Sequence, residues 1–156
     1  WEGELTTQVP QFQGITFRYT PEQIAVQNLE DSEPVTLITG MPIWNAYFCD
    51  LTGDELPEIC ATLSWSSGMI DSRVIIYDYA NGASYLLEDR GNHDYSLRYN
   101  DADGFLYVDK RSYGEDVLES CGRLVYMDGC IQVLDASKEE NGEVVPPTIQ
   151  KDRSAR

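Results

Sequence analysis

Short runs of alternating apolar and polar residues, separated by tight-turn pairs, recur along most of this chain. From residue 14 to residue 135 about ten such runs follow one another, and Asn81-Gly82 and Asp128-Gly129 each stand between two of them. Asn-Gly and Asp-Gly are strong hairpin signals because both turn positions tolerate φ above zero. No long stretch shows the three- and four-residue apolar spacing of an amphipathic helix. The pattern therefore predicts an all-β fold, an antiparallel meander of short hairpins that forms an open curled sheet or a sandwich.

One short segment is a candidate for a helix. The hydroxyl of Thr20 suits the position before the first turn, and Pro21 suits the first turn itself. β-Branched residues follow within a few positions, so the predicted helix is brief.

The length of 156 residues fits one ordinary domain. Residues 1–13 are polar and contain Pro10, which predicts a linker, and residues 14–135 are predicted to form a single all-β domain. Residues 136–156 contain Pro146-Pro147 and no strand pattern, which predicts a flexible tail. Because the chain starts at Trp1 and not at Met, we expect it to be part of a larger protein with any membrane segment upstream.

The formal charge of −16 disfavours several classes of partner. Residues 136–156 contain equal numbers of acidic and basic side chains, so the excess acid lies in residues 1–135. Such a body repels phosphate backbones and anionic lipid, and we expect no nucleic-acid partner. No apolar run reaches about 18 residues, so we expect no direct membrane insertion by this segment. Metal cations and basic partners remain open.

Catalytic motifs are sparse. The single histidine, His93, stands in a polar Gly-Asn-His-Asp context that favours a solvated side chain. The sequence has no phosphate-cradling glycine loop and no serine followed three residues later by lysine. We therefore expect that this domain is not an enzyme, with a small hydrolase that uses an Asp/Glu pair as an alternative.

The nine-residue loop 50–58 is the best candidate site. Its side chains place oxygens at alternate positions, and the backbone carbonyl of Leu56 could add another; the oxygen-bearing side chains are Asp50, Thr52, Asp54 and Glu58. A hard cation such as Ca²⁺ needs 6–8 oxygens gathered from one short segment. The spacing predicts a calcium site between two strands, and an acidic hairpin loop without metal is the alternative.

This loop, Asp50-Leu-Thr-Gly-Asp-Glu-Leu-Pro-Glu58, resembles the calcium loop of integrin-type propeller repeats, which read Asp-x-Asn-Gly-Asp-Gly-x-x-Asp. Strand, loop, two strands, the Asn-Gly turn and a further strand follow the order of one propeller blade. The chain departs from the pattern at Thr52, which is neutral, and at Glu55, which replaces glycine. Two blade-like units cannot close a propeller ring, which favours an open sheet or a sandwich.

A wider resemblance runs from about Pro10 to Leu134. Gly40-Met-Pro-Ile-Trp-Asn-Ala-Tyr-Phe-Cys-Asp-Leu-Thr-Gly-Asp-Glu-Leu-Pro-Glu-Ile-Cys60 is similar to the C-terminal region of Bla-regulator-type membrane metallopeptidases of Gram-positive anaerobes. The segments Arg73-Val-Ile-Ile-Tyr-Asp-Tyr-Ala-Asn-Gly-Ala83 and Gly122-Arg-Leu-Val125 are similar too. The His-Glu-x-x-His motif of the peptidase part is absent here. The resemblance implies a non-catalytic extracytoplasmic sensor or interaction domain, tethered to the membrane through an N-terminal region, with an unknown protein or cell-envelope ligand.

Trp65 is the aromatic residue that least fits a packing role. It stands where a strand gives way to Ser66-Ser67-Gly68, so its ring could stack on a ligand. This position supports an alternative function, a stand-alone secreted binding module for carbohydrate or peptide.

The four cysteines form no Cys-x-x-Cys pair. Cys49 and Cys60 flank the acidic loop on one, more polar, strand face, where a cross-strand bond is geometrically open. A turn at Asp128-Gly129 would separate Cys121 from Cys130 beyond disulfide reach. We expect most or all of the thiols to be free.

Overall fold

The structure is a computed structural model that describes residues 5–28, 33–65, 71–87, 93–115 and 117–135. These residues form β-strands and no helix. The strands are β1 Leu5–Thr7, β2 Ile15–Tyr19, β3 Gln23–Asn28, β4 Val35–Thr39, β5 Ile43–Cys49, β6 Glu58–Leu63, β7 Arg73–Asp78, β8 Ala83–Leu86, β9 His93–Asn100, β10 Phe105–Ser112, β11 Leu118–Met127 and β12 Cys130–Asp135.

The strands form three four-stranded sheets, and each sheet is an antiparallel meander. The first sheet has the order β1-β2-β3-β4, the middle sheet β5-β6-β7-β8, and the third sheet β9-β10-β11-β12. All-β architecture with open antiparallel sheets confirms the prediction from the hairpin pattern. The middle sheet has the strand–loop–strand–strand–turn–strand order expected of one blade-like unit. The described residues form three four-stranded sheets, whereas the sequence predicted two blade-like units.

The middle sheet lies between the other two and packs against one of them on each face. One apolar cluster joins it to the first sheet through residues such as Phe17, Ile24, Ile59 and Leu63. A second cluster joins it to the third sheet through Cys60, Ile76, Leu97, Val108 and Leu124. All six residues of β6 are consequently buried. Burying one such Ile or Leu side chain contributes roughly 1.5–3 kcal/mol.

The Asp128-Gly129 turn has the predicted hairpin geometry. Asp128 has φ 55° and Gly129 has φ 80°, both in the left-handed region that this turn requires. It connects β11 to β12 and pairs Met127 with Cys130.

The predicted helix at Thr20 is wrong, because this segment is the hairpin turn between β2 and β3. The Thr20 hydroxyl accepts hydrogen bonds from the amides of Glu22 (3.3 Å) and Gln23 (3.1 Å). The Thr20 amide donates to the Gln23 carbonyl oxygen (2.9 Å). Thr and Pro favour turns for the same reasons that they favour helix starts. The β-branched residues that follow favour a strand, so the chain continues as β3.

The segment predicted as a linker contains a strand that the sequence pattern did not indicate. β1 pairs with β2 from Leu5↔Tyr19 to Thr7↔Phe17, and its three residues are exposed. Val9 is buried in the core that joins the first and middle sheets. A three-residue exposed strand carries no alternation to detect.

The predicted tail, residues 136–156, lies outside the described residues. Within the described ranges, no helix has the length and apolar character needed to cross a membrane.

None of the four cysteines forms a disulfide bond, as expected. Cys49 and Cys60 share a strand face as expected, because Tyr47 pairs with Cys60 and Cys49 pairs with Glu58. That face is not the more polar one, since Cys60 is wholly buried in the cluster between the middle and third sheets. The register offsets the two cysteines by one diagonal step and does not set them opposite one another.

Gly122 and Gly82 provide a matched test of the β11–β12 contact. A methyl group on Gly122 would overlap the Leu134 carbonyl oxygen and lie 2.6 Å from Val133 Cγ1, whereas one on Gly82 would meet nothing within 4 Å. Because backbone cannot yield as a flexible side chain can, we expect Gly122→Ala to lower the free energy of unfolding by more than about 2 kcal/mol. Gly82→Ala, at φ 68°, carries backbone strain alone and should cost about 1–2 kcal/mol. Chemical denaturation measures both, and equal losses would contradict the packing at Gly122.

Candidate metal centre

The loop 50–58 connects two adjacent strands of the middle sheet. β5 ends at Cys49 and β6 begins at Glu58, and these two residues pair across the hairpin. The loop is thus closed at its base by the sheet register. Leu51 and Glu58 are buried, whereas Asp54 and Glu55 are exposed.

Asp50 and Asp54 fold the loop by accepting backbone hydrogen bonds. Asp50 Oδ1 accepts from the Gly53 amide and Oδ2 accepts from the Glu55 amide, both at 2.8 Å. Asp54 Oδ1 accepts from the Leu56 amide at 3.0 Å. Gly53 and Glu55 have φ of 78° and 70°, which turns the backbone around the carboxylates. Aspartates that bind amides two to five residues ahead are typical organisers of tight loops.

Glu58 binds the opposite side of the loop from a wholly buried position. Its Oε2 accepts from the amides of Leu51 (2.7 Å) and Thr52 (3.2 Å). Its Oε1 accepts from the Thr52 hydroxyl at 2.8 Å. The carboxylate therefore satisfies loop amides that β-pairing leaves over, and it serves a structural role whether or not a cation binds.

The three carboxylates converge on the hydroxyl of Thr52. Thr52 Oγ1 lies 2.8 Å from Glu58 Oε1, 3.2 Å from Asp54 Oδ1 and 3.5 Å from Asp50 Oδ1. Oxygen atoms of Asp50, Asp54 and Glu58 all lie within 4.8 Å of one another. A hydroxyl carries one hydrogen and can donate to one acceptor at a time. The loop thus gathers more oxygen acceptors than its one hydroxyl can serve, and hard cations take oxygen ligands of this kind.

The buried position changes the acid strength of Glu58. Burial raises the pKa of Glu58 to about 7, against the lowering effect of the hydrogen bonds from Thr52 and Leu51. The charge of Asp78 raises this pKa further. Near neutral pH the Glu58 side chain therefore holds a proton for part of the time, and a bound cation would compete with that proton.

The structure brings together most of the metal ligands predicted from the sequence. Asp50, Asp54 and Glu58 form one cluster and Thr52 contacts all three, although the third residue departs from the integrin-type pattern. The backbone amide of Leu56 donates a hydrogen bond to Asp54. The metal-binding role of its carbonyl stays a prediction.

Asp78 is a neighbour of this site that the sequence did not reveal. It is buried at the end of β7, where its carboxylate accepts from the Asn81 amide (3.1 Å) and side-chain amide (2.8 Å). Asp78 follows Glu58 by twenty positions, and the β6–β7 register, with Ile59 opposite Tyr77, places the two side by side. The sequence pattern predicted both strands but not the register between them.

Trp65, the predicted ligand-binding residue, lies outside the acidic cluster. The residue is 42% exposed, and its indole N–H donates to the Thr39 carbonyl oxygen at 2.9 Å. The Arg73 guanidinium lies over the ring, 5.3 Å from the centroid. The hydrogen bond and the cation–π contact hold the ring in place while part of it faces solvent.

His93 lies on a strand and has a carboxylate partner, contrary to the expected solvated loop. Its Nε2 is 2.8 Å from Glu119 Oε2, and the Ser112 hydroxyl donates to Glu119 Oε1 at 2.5 Å. The glutamate lies between serine and histidine. In a nucleophilic serine site the histidine contacts the serine, so this order does not support serine hydrolase chemistry.

We expect the stability of the metal-free protein to depend on pH through Glu58. Because its pKa is higher in the folded state than its ordinary value of 4.5, the contribution is complete below about pH 4.5 and is lost as pH rises to about 7. The loss is on the order of 3 kcal/mol. Glu58→Gln removes this titrating group. In EDTA, the free energy of unfolding of the wild type minus that of the variant should therefore fall as pH rises from about 4.5 to about 7. Denaturant unfolding measures the difference at each pH, and a difference that is flat from pH 4 to 8 would contradict it.

Comparison of the chain with protein-family models, with curated proteins and with solved structures finds no match. The resemblances to Bla-regulator-type metallopeptidases and to integrin-type repeats therefore stay predictions that rest on the residues quoted for them.

Proposed function

We propose that this chain is a non-catalytic extracytoplasmic sensor or interaction domain of a membrane-anchored regulatory metallopeptidase, and that calcium in the loop 50–58 stabilises it. The observation that carries the calcium part is the convergence of three carboxylates on the Thr52 hydroxyl. The resemblance of residues 40–60 to Bla-regulator-type proteins supports the other part, a non-catalytic extracytoplasmic domain of a membrane-anchored metallopeptidase. Those residues span the approach to β5, the strand itself, the acidic loop and the start of β6.

A cation in this loop would act on the hairpin that connects β5 to β6. Asp50 belongs to the β5 side and Glu58 to the β6 side, so one ion bound to both would link the two strands. Without a cation, each pair of ionised carboxylates at 4 Å repels by about 1 kcal/mol in water and by more where water is excluded. The ion would replace this repulsion with attraction.

Ca²⁺ fits this loop better than Mg²⁺. The oxygens come from side chains of different length, and Ca²⁺ accepts irregular oxygen shells of 6–8 ligands. Mg²⁺ requires a near-octahedral shell and gives up its water reluctantly. Extracellular calcium sites with Kd of about 10⁻⁴–10⁻³ M are common, which suits a loop that supplies three carboxylates.

A second candidate function is a stand-alone secreted module that binds carbohydrate or peptide through Trp65. The exposed part of the Trp65 ring, and the two contacts that hold it, favour this function. Aromatic rings fixed in this way lose little entropy when a ligand stacks on them.

Calcium should raise the melting temperature of the domain, and magnesium should raise it less. At a concentration a hundredfold above Kd, a ligand that binds only the folded state adds about 2.7 kcal/mol. Asp54→Asn keeps a hydrogen-bond acceptor for the Leu56 amide and removes one charge, so it should abolish most of the calcium effect. Thermal melts in EDTA, CaCl₂ and MgCl₂ measure these shifts.

Asp101→Asn is the matched control, because Asp101 is an exposed aspartate in another hairpin loop, between β9 and β10. It should leave the calcium shift unchanged. If titration calorimetry detects no calcium binding up to several millimolar, the loop is an acidic turn without a metal site.

The coding sequence upstream of this chain tests the proposed setting. Membrane-spanning segments with a His-Glu-x-x-His motif are the expected result. A cleavable signal peptide directly before the domain would favour the secreted module, and a cytoplasmic domain fused in its place would contradict both functions.

A further inference from the structure

An apolar groove of about 390 Å³ separates the first strand of the first sheet from the first strand of the middle sheet. Half of its lining residues belong to or pack against the core cluster that joins these sheets, among them Phe17, Ile24 and Ile59. At the rim, Leu5 is 57% exposed and Phe48 is 36% exposed. Grooves of this size and composition typically bind apolar groups.

The groove follows the edges of two strands. Its lining includes three consecutive residues of β1 (5–7) and three of β5 (46–48). Successive residues of a strand point to opposite faces, so consecutive residues line a groove only where it runs along the strand edge. β1 pairs with β2 and β5 pairs with β6, and no other strand among the described residues pairs with either. The backbone of β5 therefore offers an edge to which a further strand can add.

The polar rim of the groove is already organised. The Tyr19 hydroxyl donates to the Ile43 carbonyl oxygen at 3.3 Å. Tyr47 turns its ring to the other face of β5, where it stacks on Tyr99 with ring centroids 6.3 Å apart. These contacts hold Tyr19 and β5 in place at the groove.

The acidic loop 50–58 follows directly after β5, the strand that lines the groove. Residues 46–48 are followed at once by Cys49 and the loop 50–58, in which Asp54 and Glu55 are exposed. A chain that runs along the edge of β5 would pass this loop directly after the groove. The whole body of the domain is acidic as well, with the formal charge of −16 residing in residues 1–135. Charge complementarity therefore favours a basic group at this end of a bound chain.

We propose that this groove binds an extended peptide segment that adds to the edge of β5, inserts an apolar side chain between β1 and β5, and carries basic residues where it passes Asp54 and Glu55. The main-chain hydrogen bonds of strand addition supply affinity, and the groove and the acidic loop supply specificity. This proposal names the partner class for the interaction function proposed above and rests on that function.

The test uses the complete chain and short synthetic peptides. Each peptide alternates threonine with valine, leucine, isoleucine or phenylalanine and ends in two lysines, and each has a twin that ends in two glutamates. Calorimetry in EDTA should show lysine peptides binding about tenfold more tightly than their twins, with the difference shrinking in high salt. Amide hydrogen exchange should slow in residues 46–48 when a lysine peptide is bound.

Leu5→Asn removes part of the apolar rim and should weaken binding about tenfold. Leu118→Asn is the matched control, because Leu118 is 50% exposed on β11 and does not line the groove. Phe48→Thr is a second rim variant that keeps a strand-forming residue, and thermal melts check that each variant folds. Glu55→Lys leaves the three clustered carboxylates in place and should weaken lysine peptides while it tightens the glutamate twins.

Several results would overturn the proposal. These are lysine peptides that fail to bind below millimolar concentration, equal losses in Leu5→Asn and Leu118→Asn, or unchanged exchange in β5. Concentration-dependent dimerisation that Leu5→Asn abolishes would assign the groove to a second copy of the chain instead. An upstream coding sequence without membrane segments would remove the membrane-anchored setting, yet peptide binding of the expected pattern would still support the groove.

Discussion

The packing of a second sheet on each face of the middle sheet is the constraint on which the rest of this structure depends. β6 is buried at all six positions because one of its faces packs on the first sheet and the other packs on the third. A strand buried in this way cannot end in an unsatisfied charge without a large cost. Glu58, its first residue, therefore has to bind groups close by, and the amides of Leu51 and Thr52 are the groups that the loop supplies.

That requirement shapes the acidic loop before any cation is considered. Glu58 holds the loop from the core side, while Asp50 and Asp54 hold it from the solvent side through the amides of Gly53, Glu55 and Leu56. The same hydrogen bonds that fold the loop bring the three carboxylates together around Thr52. Structural and metal-binding roles are thus compatible here. A cation would compete with a proton for the Glu58 carboxylate, because burial raises the pKa of Glu58 to about 7.

The stacking of sheets leaves strand edges as the exposed backbone of the domain. The outward face of the first sheet bears polar pairs, among them Arg18–Gln27 at 3.0 Å and Thr36–Gln23 at 2.8 Å. The groove between β1 and β5 differs, since apolar side chains and strand edges meet there. An exposed strand edge can pair with another chain, and the acidity of this chain opposes pairing with a second copy of itself.

Sequence by itself determined the local structure of this protein. Alternation predicted most of the strands, the Asp128-Gly129 pair predicted its turn, and the spacing of Asp50, Asp54 and Glu58 predicted which side chains meet, because all three lie within one short loop. Local signals failed at Thr20, where turn and helix-start preferences coincide, and at β1, which is too short and exposed to show alternation. Only the tertiary structure decided what depends on packing between distant segments: the number of stacked sheets, the burial of Glu58 and the approach of Asp78 from β7. The groove between β1 and β5 belongs to the same class, because its walls come from strands that do not pair with one another and no periodicity within a strand records which sheet will pack against it.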